Sequence, residues 1–144
     1  MIRLRWVLLS LLGAGFSLGL LSGVERRVIY EKQTQYNHII VEEDDEGLRY
    51  LLFDEYGGYQ SVRIPGETDK LELPYSKLMM VGMACVEDPK RCLIIGLGGG
   101  SIPSFLHKRY AQMKIDCVDI DPEVIAVAKE FFDFEEGDML RAHA

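Results

Sequence analysis

The stretch LIIGLGGGSIPSFLHKRYAQMKIDCVDIDP, residues 93–122, decides the fold. An apolar run, Arg91–Ile95, meets four glycines within residues 96–100, and a second run, Ile115–Asp119, ends in Asp-x-Asp-Pro. Short apolar runs bounded by turn residues read as buried strands. Ser101–Tyr110 and Pro122–Phe132 read as helices, the second with Pro in its first turn. Strand, glycine turn, helix, strand, acid, helix is the opening of a Rossmann-like parallel sheet.

Glycine tolerates the backbone angles of a strand that turns sharply into a helix, and without a Cβ it lets a ligand approach the main chain. Gly96, Gly98 and Gly100 are therefore candidate cofactor-binding residues. Asp119 lies 23 positions after Gly96, at a strand end. An ionised carboxylate there accepts hydrogen bonds from both hydroxyls of a ribose. Asp121 is the expected N-cap of the next helix, with Pro122 at its first position. Asp138, in EGDML, is read as lying where the next strand ends, within reach of an adenine amino group. A dinucleotide fingerprint wants a third glycine where this chain has Ser101, so the spacing suits an S-adenosylmethionine-type nucleoside better than NAD.

Upstream, Val28–Leu73 reads as a small antiparallel β module, assigned to residues 25–73. YNHIIV (36–41) leads into a turn and LRYLLF (48–53) returns from it, with Tyr50 and Leu52 on one face. The run Glu42-Glu43-Asp44-Asp45-Glu46 between them reads as a solvated turn closed by Gly47. Gly57-Gly58 and Pro65-Gly66 mark further turns, and Pro74–Val86 reads as a helix that Asp88-Pro89 ends. Residues 74–144 then form a Rossmann-like nucleoside-binding part.

The first 24 residues are different. Arg3 and Arg5 precede an uncharged run over residues 6–24, nineteen apolar or small residues. At about 1.5 Å rise per residue such a helix nearly spans a bilayer core of roughly 30 Å. It is read as a hydrophobic leader, either an anchor that tethers a cytoplasmic domain to the membrane or a signal peptide removed on export.

A net charge of −7 argues against a nucleic-acid backbone as partner. Cys85, Cys92 and Cys117 form no CxxC pair, and they read as reduced, buried thiols with no metal site.

With these features in place, the chain resembles the spermidine synthase (polyamine aminopropyltransferase) family, within the class I S-adenosylmethionine-dependent methyltransferase-like fold. The resemblance rests on YNHIIV, LLFDEYGGYQ (51–60), LPYSKLM (73–79), CLIIGLGGG (92–100) and CVDIDPEVIAVAKEFF (117–132). It implies a small β domain before a Rossmann-like domain, and S-adenosylmethionine or decarboxylated S-adenosylmethionine as the nucleoside substrate, without a metal. It gives Asp119 the ribose, Asp138 the adenine, and Tyr75 and Gln60 the polyamine side. Three positions depart from the family pattern. Asn37 stands for a cofactor-contacting Gln, Ser76 for a His or Gln, and Gly99 for the loop Asp that holds the aminopropyl amine.

The family's catalytic Asp belongs to a strand that this reading places beyond Ala144. The expectation is therefore the first half of the parallel sheet, truncated, with the transferase inactive or weakly active. A methyltransferase and a non-catalytic, membrane-tethered interaction module are the alternatives. An apolar strand at Arg91–Ile95 with one neighbour missing also predicts self-association or a sheet-completing partner.

Overall fold

The computed structural model describes residues 24–144. All but the last residue of the apolar leader read from the sequence lie outside that range. Among the described residues no helix is long and apolar enough to cross a membrane.

Four strands, β1 (Arg26–Gln33), β2 (His38–Asp44), β3 (Arg49–Leu52) and β4 (Ser61–Arg63), form an antiparallel sheet in chain order. Alternation divides its apolar residues between two faces. Ile40, Tyr50, Leu52 and Val62 pack together on one, so Tyr50 and Leu52 do share a face. Ile39, Val41 and Leu51 enter the main core beside Leu97, Ile115, Val124 and Phe132. Strands β2–β4 bury residues on both faces of this sheet while β1 is largely exposed, and one face is the seam to the rest of the molecule.

The chain then forms α1 (Pro74–Met79), which tightens into a 3₁₀ turn over Met80–Cys85 where the sequence suggests one helix to Val86. After it come β5 (Arg91–Ile95), α2 (Ser101–Arg109), β6 (Lys114–Val118), α3 (Pro122–Phe131) and β7 (Leu140–His143). The last three strands make a parallel sheet in the order β5-β6-β7. Both parallel strands read from the sequence and both helices stand within a residue of their expected bounds. Together the sheets give the α/β architecture expected, an antiparallel β module and a Rossmann-like parallel sheet.

The acidic run departs from its reading as a solvated turn. β2 continues through Asp44, so Glu42 and Glu43 are strand residues and Asp44 is 8% exposed. Glu43 pairs with Arg27 and Arg49, which hold its carboxyl below the usual range. Burial pushes Asp44 upward, but hydrogen bonds from the Tyr50 hydroxyl and the Leu48 and Glu46 amides outweigh it and lower the carboxyl. Asp45 and Glu46 alone carry the turn's charge into solvent or its edge, with Gly47 at a φ of 82°.

β5 is the outer strand of the parallel sheet, with Leu93 64% and Ile95 85% exposed. Between it and the 3₁₀ turn lies an apolar cleft of about 240 Å³ lined by Met79, Met83, Cys92, Ile94, Ile102 and Leu106, among others. The 3₁₀ turn has no buried residue, which places Cys85 at the surface and not in the core. Cys92 is half-buried, and Cys117, in mid-β6, is fully buried. Burial pushes the Cys117 thiol up to about 12, helped by neighbouring Cys92 and Asp116. Only the thiolate reacts with alkylating agents. Iodoacetamide at pH 8 should therefore label Cys85 first and Cys117 only on unfolding, as mass spectrometry of timed aliquots will read. Labelling of Cys117 at the rate of Cys85 in the folded protein would contradict this packing.

Candidate functional site

The glycine loop and Asp119 occupy matching ends of adjacent parallel strands. Ile95 pairs with Val118, the last residue of β6, and Gly96 N–H extends the ladder to the Val118 carbonyl at 2.8 Å. The C-terminal ends of parallel strands are where such sheets bind ligands, because the loops there leave a crevice. Gly96, Gly98 and Gly100 have φ values of 88°, 56° and 72°, a region that side-chain-bearing residues rarely enter. The three glycines are thus required by the turn itself. Gly100 is constrained twice, since a Cβ there would lie 2.6 Å from Cδ2 of the buried Phe134.

Asp119 is 8% exposed, and its carboxylate is already partly engaged. Oδ2 accepts from Leu97 N–H at 2.7 Å and Oδ1 from Asp121 N–H at 3.1 Å. Each oxygen of a carboxylate accepts more than one hydrogen bond, so each retains a lone pair for a hydroxyl. The two amides fix the plane of the group and tie it to the loop. Asp121 caps α3 as the sequence indicates, accepting from Glu123 N–H at 3.0 Å.

The antiparallel module closes the loop from the other side. Ser61, at the start of β4 and 5% exposed, accepts a hydrogen bond from Gly99 N–H at 2.8 Å. A Cβ on Gly99 would sit 2.8 Å from the Ser61 Cβ and 2.9 Å from the Phe132 ring. The position at which the resemblance implies an acid is therefore packed too closely for any side chain. Tyr75, about half exposed on α1, donates its hydroxyl to the Gln60 carbonyl at 2.6 Å. Gln60 precedes Ser61 and packs its backbone near Gly98, while its side-chain amide turns back to the Gly58 carbonyl. Tyr75 and Gln60 thus stand beside the loop, joined through main chain.

Asp138 does not join them. It is exposed and precedes β7, which begins at Leu140 opposite Ile115. The level of Asp119 is reached only at His143, whose carbonyl accepts from Asp119 N–H at 2.9 Å. Asp138 is at the wrong end of its strand, on the order of 15–20 Å away by strand rise. The cause is the segment after α3. Phe132 and Phe134 are buried there, and β7 starts only at Leu140, after Asp138. Sequence reasoning also missed Ser61, which carries no motif, and Thr34, whose turn with Asn37 is a recognisable Ser/Thr turn. Among the described residues no cluster of His, Cys, Asp and Glu could hold a metal ion.

Comparison with known proteins identifies related sequences and folds. The Spermine/spermidine synthase domain model matches residues 72–140. A polyamine aminopropyltransferase from Vibrio vulnificus is 34% identical over 145 residues, covering 99% of this chain and 46% of that protein. An eEF1A lysine and N-terminal methyltransferase from Mus musculus is 36% identical over 89 residues, 55% of this chain and 13% of that protein. A solved spermidine synthase from Thermotoga maritima superposes with a TM-score of 0.61 at 24% identity, covering 81% of this chain and 39% of that one, and shows the shared fold. The chain spans just under half the length of the aminopropyltransferase it matches. It is spermidine-synthase-like over residues 72–140 and shares the α/β fold of solved spermidine synthases.

The loop's packing has a measurable consequence. Gly100→Ala combines a left-handed backbone with a collision against Phe134 and should destabilise the chain by about 2–4 kcal/mol. Gly47→Ala meets open space at a similar φ, so only the backbone term of about 1–2 kcal/mol applies. Urea unfolding of the two variants should separate them; equal losses would place Phe134 elsewhere.

Proposed function

We propose that this spermidine-synthase-like chain binds an S-adenosylmethionine-type nucleoside through Asp119 and the Gly96–Gly100 loop, as the cofactor half of a transferase site. One observation carries the reading. A buried carboxylate with a spare lone pair on each oxygen stands beside a loop of bare backbone, at the same level of two adjacent strands. A ribose diol matches the carboxylate, since its two hydroxyls are neighbouring donors for two neighbouring acceptors. The loop's Leu97 and Gly99 amides are already paired with protein groups, so its contribution is close approach and shape.

Gly99 favours methyl transfer over aminopropyl transfer. A lone ammonium on the ligand's tail needs a counter-charge, and a charge-assisted hydrogen bond of that kind contributes roughly 1.5–3 kcal/mol. The loop cannot supply a carboxylate at Gly99 while Ser61 and Phe132 hold their places. A tail that retains its own carboxylate, as in S-adenosylmethionine, makes no such demand. Methyl transfer then relies on alignment of donor and acceptor, which a rigid cofactor site promotes. We assign no general base.

Calorimetric titration of the whole chain with S-adenosylmethionine, decarboxylated S-adenosylmethionine and NAD tests both statements. S-adenosylmethionine should bind most tightly. Asp119→Asn, which keeps one acceptor oxygen for the loop, should lose about 1–2 kcal/mol of that affinity. Preference for NAD, or an unchanged affinity in the variant, would reject the assignment.

A further inference from the structure

The β1–β2 turn is built into the strand-end acids, although it belongs to the other sheet. The Thr34 hydroxyl donates to Asp121 Oδ2 at 2.6 Å and accepts from Asn37 N–H at 2.9 Å and Tyr36 N–H at 3.1 Å. The Asn37 side-chain amide donates to the same Oδ2 at 3.1 Å. The resemblance gives this position a cofactor contact, but here the amide is turned to Asp121. Asp121 is 1% exposed, and its carboxylate accepts from these donors and from the Glu123 amide at the helix N-terminus. Its own N–H in turn binds Asp119 Oδ1. Two residues further along, Glu123 takes the Tyr30 hydroxyl and the Lys32 ammonium from β1, which pins the turn above the start of α3. The turn lines a cleft of about 380 Å³ together with Asp121 and Glu123.

From this arrangement we infer that Thr34 and Asn37 are positioning residues for the nucleoside site: they set the Asp119 carboxylate by holding Asp121. The inference rests on the reading of Asp119 as the diol acceptor. Thr34 uses its donor and its acceptor capacity at once, so only a hydroxyl suits the position. If Oδ2 loses the Thr34 donor at 2.6 Å, it keeps only the Asn37 amide at 3.1 Å, and the buried carboxylate turns toward that remaining donor. The Asp121 backbone moves with it, and the amide that orients Asp119 Oδ1 moves too. Two hydroxyls held at a fixed spacing are sensitive to such a tilt, whereas the rest of a nucleoside is not.

The test uses the whole chain and two probes, S-adenosylhomocysteine and its 2′,3′-dideoxy counterpart, titrated calorimetrically. Thr34→Val should weaken S-adenosylhomocysteine about tenfold, the equivalent of one ordinary hydrogen bond. It should leave the dideoxy probe, which has no diol, within about twofold of the parent, a difference well below one hydrogen bond. Thr34→Ser should restore parental binding of both. A variant that merely loosens the fold would weaken both probes alike, and that result would overturn the inference, as would an unchanged affinity for S-adenosylhomocysteine. Asp119→Asn separates the two levels. If it leaves S-adenosylhomocysteine binding unaltered, or if the parent chain binds neither probe, the diol reading itself falls and this inference with it. If it weakens binding while Thr34→Val does not, the diol reading stands and the positioning role is lost.

Discussion

Helix α3 is held at both ends by a sheet to which it does not belong, and the same sheet packs against the glycine loop. At its N-terminus Thr34 and Asn37 bind the capping Asp121, while Tyr30 and Lys32 bind Glu123. At its C-terminus Arg49 donates to the Phe131 carbonyl at 2.9 Å and Arg63 to the Phe132 carbonyl. Both sets match the helix dipole, with carboxylates at the positive end and guanidinium groups at the negative end. Lys32 and Tyr30 hold the Glu123 carboxyl below the usual range. In return, burial and that carboxylate push the Tyr30 phenol up to about 12. Arg63 is 2% exposed, and burial lowers its pKa against the opposing charge of Asp133. A charge taken that far from water is retained because the helix end needs its donor.

The same docking sets the chemistry of the glycine loop. Ser61 reaches the loop because β4 is carried there by the sheet that grips α3, and Phe132 reaches it from the end of α3 itself. Between them they leave no room for a side chain at Gly99. An electrostatic property of the site, the lack of a carboxylate on the loop, is thus enforced by packing from two elements remote in the chain. An acid placed at residue 99 could not be accommodated without repacking its neighbours.

Acidic residues are where local reading and structure part most clearly. Asp44 belongs to a run that alternates poorly and carries full charge, yet it is buried and receives a tyrosine hydroxyl and two amides. Asp138 stands in a segment that suits a strand end, yet it precedes its strand. In both cases the local sequence is compatible with solvent or with a site, and the outcome is set by where distant groups arrive. Arg27 and Arg49 pair with Glu43 on the sheet, and buried Phe132 and Phe134 occupy the segment between α3 and β7.

Periodicity and turn chemistry in the sequence were enough to determine the parallel strands β5 and β6, the helices α2 and α3, the glycine turn between β5 and α2, and the N-cap at Asp121. These are local outcomes, governed by side-chain spacing, by the φ that only glycine accepts readily, and by a carboxylate one turn from free amides. The pairing of Asp119 with the loop was legible as well, because the α/β alternation places successive strands side by side. The tertiary structure alone decided the roles of Thr34, Asn37, Ser61 and Arg63, the surface position of Cys85, the burial of Asp44 and the exclusion of Asp138. Each of those depends on a contact between residues far apart in the chain, and no local propensity encodes which buried group will meet which donor.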